Sequence, residues 1–197
     1  MNYADIKKFI IGVKRYEAFS NQELIKTYAP LLTEMIDSIE NFTQKNHYQS
    51  VVYLLEIKSN PATDGYEQPP PDVYVNILME KIKPYLQKLK GRLFIQSFDL
   101  RPLQILHKNY PDIPLGFLVN KTNMEFEQNI KSLGFIPALY NPEYHMVNRE
   151  IVHKCHKKGI KIFPWTVNDT NEINRISMLN VDGIITDYPN LFGNLKK

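Results

Sequence analysis

A chain of 197 residues with 43% hydrophobic and 23% charged residues has the make-up of one globular domain, or a sizeable piece of a larger one, and not of a disordered segment. A net charge of +3, with basic residues scattered and not striped between aromatics, leaves no nucleic-acid footprint. The single cysteine, Cys155, excludes an internal disulfide framework, and no run approaches the roughly 20 apolar residues of a membrane span. The opening "MNYADIKKFIIGVKRYEAF" holds no apolar run long enough for a signal peptide. As written the chain is expected in the cytoplasm; a leader lying ahead of Met1 would make it periplasmic or secreted.

After Pro30, the residues Leu32, Met35, Ile36, Ile39 and Phe42 recur at helical spacing and predict a helix to about Asn46. Residues 1–50 therefore read as an N-terminal helical segment. The stretch "VVYLLEIKSNP" follows, with Val51, Tyr53, Leu55 and Ile57 on one face of a strand over 51–57. Its other face carries Val52, Leu54, Glu56 and Lys58, so an apolar strand ends on a carboxylate and an ammonium side by side. The loop "NPATDGYEQPPP" (60–71) comes next, and Val75, Leu78, Met79, Ile82 and Leu86 mark a helix closed near Gly91. Shorter units then alternate: strands over 92–99, 114–119, 135–140, 160–167 and 183–187, and helices over 100–109, 123–133, about 147–159 and 169–179.

Strands separated one by one by helices imply parallel pairing with helical crossovers. An open doubly wound sheet lacks its usual marker, because no strand is followed by a Gly-rich phosphate turn. A barrel fits the placement of function better. Glu56, Asp99, Asn168 and Asp187 all fall at C-terminal strand ends, where barrel active sites are built. A closed barrel of this kind needs eight strands. The expected fold is thus an incomplete TIM (β/α) barrel over 51–197, with six of eight βα units and the first two strands absent from this chain. The open edges at 51–57 and 183–187 are then templates for self-association.

The stretches "LLEIKS", "FIQSFD", "KIFPWTVND" and "VDGIITDYP", in this order, resemble the glycerophosphodiester phosphodiesterases. The resemblance spans roughly 51 to 190, and the region before residue 50 resembles the helical insertion that some bacterial members carry ahead of the "EIK" strand. It implies a (β/α)₈ barrel that hydrolyses glycerophosphodiesters to glycerol 3-phosphate and an alcohol, using a divalent metal, Mg²⁺ or Ca²⁺. By the same resemblance Glu56 is a metal ligand, Lys58 lies by the phosphate, and Phe98 and Trp165 border the substrate. The family's His-Arg pair, Glu-x-Asp and His-Asp, which supply the acid–base histidines and the other metal ligands, have no counterpart here. The resemblance therefore implies a chain that is inactive alone and does not hold the metal by itself, its ligand being a glycerophosphodiester small molecule.

Each of these residues also has a plainer reading. Glu56 and Lys58 could be a salt bridge at a strand end, worth little when exposed. Trp165, the only tryptophan, could be an amphipathic ring closing the core, and Phe98 a core residue. His153 and His156 flank Cys155 in "VHKCHKKG", but the spacing matches no zinc pattern, and histidines near a helix C-terminus sit well against its dipole. Asp187 in "TDYP" reads as a loop-fixing hydrogen-bond acceptor. At the level of the chain the alternative to an enzyme is a non-catalytic remnant, or a binding module, of the same fold.

Overall fold

Side-chain caps decide where most helices of the C-terminal part begin. Asp99 accepts from the Arg101 amide at 3.0 Å, Asn148 from that of Ile151 at 3.0 Å, and Asp169 from those of Asn171 and Glu172 at 2.8 and 3.0 Å. Each capping oxygen takes up an amide that the helix cannot satisfy itself. In the computed structural model, which describes residues 2–122 and 125–194, the chain divides into two compact units, Met1–Val51 and Val52–Lys197.

The first unit holds α1 (Tyr3–Ile6), a 3₁₀ turn at Glu17–Phe19 and α2 (Leu32–Lys45). Its start is fixed by Glu34, which accepts from the Leu31 amide at 3.1 Å and from the Tyr3 hydroxyl at 2.5 Å. A two-residue antiparallel bridge joins Ile11 to Thr27.

The second unit alternates β1 (Tyr53–Ile57), α3 (Pro71–Ile82), β2 (Leu93–Ser97), α4 (Leu100–Asn109), β3 (Leu115–Val119), α5 (Phe126–Leu133), β4 (Leu139–Pro142), α6 (Arg149–Lys157), β5 (Lys161–Ile162) and α7 (Thr170–Ser177). The strands form one parallel sheet in the order β1-β2-β3-β4-β5, an arc of a (β/α) barrel. The helices bury Val75, Met79, Leu103, Leu106, Ile130 and Ile173. Phe117 and Tyr140 meet edge to face, and Tyr140 meets Phe126 of α5 likewise, with centroids 6.3 and 5.0 Å apart. The helix-facing side of the sheet is thus an aromatic and aliphatic core.

Among the described residues five strands are found where the sequence pattern predicts six. Residues 183–187 run beside β5 without forming a strand: the amides of Asp182 and Ile185 donate to the carbonyls of Ile162 and Pro164 at 3.1 and 2.8 Å, and that of Val167 to Ile185 at 2.9 Å. Pro164 has no amide to offer a ladder. Gly183 lies against the Phe163 ring, so close that a Cβ there would sit 3.0 Å from it. Pro137 likewise delays β4, whose pairing begins at Leu139 and not at 135. The helix predicted over 123–133 begins at Phe126, and residues 123–124 lie outside the described ones.

Cys155 is fully buried on α6, and burial pushes its thiol up to about 12. A thiol so placed gives almost no thiolate at neutral pH. The native protein should therefore leave a disulfide reagent such as DTNB unreacted, and denaturant should release one equivalent. Rapid reaction without denaturant would contradict this packing.

Candidate active site

Glu56 near the end of β1 and Lys58 just beyond it lie two apart along an extended backbone, a spacing that puts side chains on one side. Their charged atoms meet, Lys58 Nζ lying 2.8 Å from Glu56 Oε1. The carboxylate side chain is 25% exposed and the lysine 80%. The pair is therefore rooted on the carboxylate and open to solvent through the ammonium.

In register, Glu56 lies beside Gln96 of β2, and Gln96 beside Gly116 of β3. Gly116 has no side chain where one would block the next contact. A Cβ there would lie 3.2 Å from Asn141 Nδ2 and from Gln96 Cβ. Across that gap, Asn141 Nδ2 of β4 donates to Gln96 Oε1 at 2.6 Å. Both side chains are buried, which makes a polar layer inside the arc on the face that carries Glu56. The Gly in the strand interior was the one sequence signal for this close approach; Gln96 and Asn141 gave none of their own.

Trp165 and Phe98, from different strand ends, are brought together. Their rings meet edge to face with centroids 5.3 Å apart. Trp165 Nε1 donates to the Asn141 carbonyl at 2.7 Å, which satisfies the polar tip of a half-buried indole. Glu143, two residues after Asn141, pairs with Trp165 through a backbone bridge. Its carboxylate engages His145 and lies 3.6 Å from Lys121 Nζ. Burial pushes the Glu143 carboxyl up, but His145 and Lys121 outweigh it and hold it below its usual value. This cluster at the ends of β3 and β4 was not foreseen, since its members are scattered along the chain.

The loop after β1 is tied to the start of α4. Arg101 reaches Asp64 at 2.5 Å and Asp99 at 2.7 Å, and Ser59 donates to Asp99 at 2.9 Å. Burial raises the Asp99 carboxyl, yet the hydrogen bonds from Arg101 and Ser59 prevail, so its pKa lies below the ordinary one. Asp64 is lowered by Arg101 and Gln68. Carboxyls depressed in the folded state stabilise it above their unfolded pKa of about 3.9, and that support is lost as pH falls through the folded values. Arg101→Met should lower the urea midpoint at pH 7, and its deficit against the wild type should shrink towards pH 3. A deficit independent of pH would dissociate Arg101 from these carboxylates.

The last loop is held as the "TDYP" reading expected: Asn168 Nδ2 donates to Asp187 Oδ2 at 2.7 Å, and the Asp187 amide to Asn168 Oδ1 at 2.9 Å. His156 pairs with Asp182 at 2.9 Å and His107 stacks on Phe135. Among the described residues no group of three or more His, Cys, Asp and Glu could hold a metal ion. Glu56 contributes one carboxylate, which suits a hard divalent cation but is not a coordination site.

The sequence profile of the Glycerophosphoryl diester phosphodiesterase family matches residues 1–191. The glycerophosphodiester phosphodiesterase of Caldanaerobacter subterraneus subsp. tengcongensis is 29% identical, over 97% of this chain and 69% of its own length. A structure from Silicibacter pomeroyi assigned to the same family superposes with a TM-score of 0.79 at 27% identity, covering 97% of this chain and 66% of that one. The Oleispira antarctica phosphodiesterase, solved with the product sn-glycerol 3-phosphate, shares the fold with a TM-score of 0.73 at 18% identity, over 98% of this chain and 69% of that one. Three of the relatives, two from Bacillus subtilis and the one from Caldanaerobacter, are spanned by the chain to between 56% and 69% of their length. A chain whose five-stranded arc, among the described residues, has Glu56 in its first strand and Lys58 just beyond it, and which is matched over nearly its whole length, belongs to the glycerophosphoryl diester phosphodiesterase family.

Proposed function

We propose that this chain is the larger part of a glycerophosphodiester-hydrolysing barrel, with the Glu56–Lys58 pair on the phosphate side of its site and Phe98 and Trp165 on the substrate wall. The observation that carries this reading is the pair itself: a carboxylate and an ammonium 2.8 Å apart at the C-terminal end of a barrel strand, in a chain of this family. Lys58 offers three donors to a phosphoryl oxygen, and its exposure leaves it free to swing towards one. In this reading the edge-to-face rings of Phe98 and Trp165 offer the apolar side against which the carbon skeleton would lie.

The metal that the family implies is a different matter. Among the described residues Glu56 belongs to no group of three or more His, Cys, Asp and Glu that could hold a metal ion, which does not fit a divalent cation's need for several oxygen ligands. In this reading the remaining ligands and the acid–base groups come from barrel strands outside these 197 residues. The test is a chimera in which the first barrel strands of the Caldanaerobacter relative are placed ahead of residue 1. Hydrolysis of glycerophosphocholine by the chimera supports the reading, and its absence in a folded chimera refutes it.

A further inference from the structure

β1 and β2 stop pairing one residue short of two of the proposed ligand contacts. Their last registered pair is Ile57 with Ser97, and the residues that follow are Lys58 and Phe98. Beyond this point side chains continue the ladder. Ser97 Oγ donates to the Ile57 carbonyl at 2.7 Å and accepts from the Asp99 amide at 3.1 Å. Ser59 Oγ donates to Asp99 Oδ2 at 2.9 Å. Both neighbours of Lys58 are thus tied to both neighbours of Phe98. Asp99 is itself held, by the Arg101 amide at 3.0 Å and by the guanidinium that also grips Asp64. Ser97 is fully buried and Asp99 nearly so, which shelters these bonds from competing water. Ser59, Phe98 and Asp99 also border one cavity of about 620 Å³, a size usual for a small-molecule site.

Capping α4 needs only the bond from the Arg101 amide to Asp99, and the Arg101–Asp64 pair already anchors the loop. Neither task accounts for Ser59, or for the bond of Ser97 across to β1. What these two bonds enclose is a pair of open side chains, Lys58 and Phe98. A lysine with a free head meets a ligand at a set place only if its root is fixed, and a misplacement of about 1 Å can cost about 10²-fold in rate. We infer, resting on the roles proposed above for Lys58 and Phe98, that Ser59, Ser97 and Asp99 are positioning residues. They hold the Lys58 backbone opposite that of Phe98, so that ammonium and aromatic ring meet one phosphorylated ligand from a fixed separation.

The test has two arms, one of which needs no turnover. In the 197-residue chain, ¹⁵N relaxation should give the Lys58 and Phe98 amides order parameters near ~0.85, as in rigid backbone. Ser59→Ala should lower both towards ~0.6 while the rest of β1 keeps its values, and Ser59→Thr, which retains the hydroxyl, should restore them. Unchanged values in Ser59→Ala, or a fall at Lys58 without one at Phe98, overturn the inference. In the chimera, Ser59→Ala should lower kcat about tenfold, and should lower it no further in a Lys58→Met background. An equal loss in both backgrounds also overturns the inference, since the serine would then act by a route other than Lys58. A chimera without turnover counts against the phosphodiesterase reading alone, and the relaxation arm then decides. If Ser59→Ala melts early, Asp99→Asn takes its place on the same criteria, because it removes the acceptor for Ser59 and keeps one for the α4 cap.

Discussion

Incubated with glycerophosphocholine and Mg²⁺ or Ca²⁺, the purified 197-residue chain is expected to release no glycerol 3-phosphate, while the chimera bearing the first barrel strands does. Each positioned proton-transfer group contributes roughly 10²–10⁴-fold, and in the proposed reading those groups lie on barrel strands outside these 197 residues. Three of the five histidines have other engagements: His107 is stacked on Phe135, His145 is tied to Glu143 and His156 to Asp182. Among the described residues no group of three or more His, Cys, Asp and Glu could hold a metal ion, so the stabilisation a metal would give is not expected of the short chain either. The two losses multiply. Turnover by the short chain at about 1 s⁻¹ or faster, an ordinary enzyme rate, would mean that another acid–base pair serves it, and Glu143 with His145 would be the first to mutate.

Within the active chimera, Lys58→Met is expected to lower kcat by about 10²–10³-fold, the loss typical of removing one electrostatic donor from a developing charge. Glu56→Gln keeps the volume but removes the charge that anchors Lys58, and should also reduce turnover. Stability separates this from the plain salt-bridge reading. A bridge whose lysine is 80% exposed is worth at most about 1 kcal/mol, so neither change should move the urea midpoint much. Large kinetic and small thermodynamic effects together place the pair in function. Unchanged kcat for both variants would make it a strand-end salt bridge and nothing more.

How far the sequence could be read depended on the range of the interactions concerned. Strand and helix order followed from period and from caps, which are local, so β1 to β3 and α2 to α7 stand close to their expected places. The failures were local too, at residues whose backbone cannot complete a ladder. Pro137 and Pro164 shortened β4 and β5, and the stretch at 183–187 kept backbone hydrogen bonds without becoming a strand. In the candidate site, the Glu56–Lys58 pair was legible because its members lie two residues apart. The meeting of Phe98 with Trp165, and of Gln96 with Asn141, joins residues 67 and 45 positions apart, respectively. Those contacts come from barrel curvature and from one missing side chain at Gly116, which periodicity does not encode.

The position of Trp165 gives the molecule an optical property. It is the only indole in the chain, half-buried, hydrogen-bonded through Nε1 to the Asn141 carbonyl and edged against Phe98. Emission excited at the red edge of protein absorption therefore comes from one place, the mouth of the proposed pocket. Anything that displaces the Phe98 ring or competes for that carbonyl changes the polarity seen by a single fluorophore, without background from other tryptophans. The protein thus carries its own dye at the spot where ligand entry would be felt first, and the barrel arc can be interrogated in dilute solution without a label.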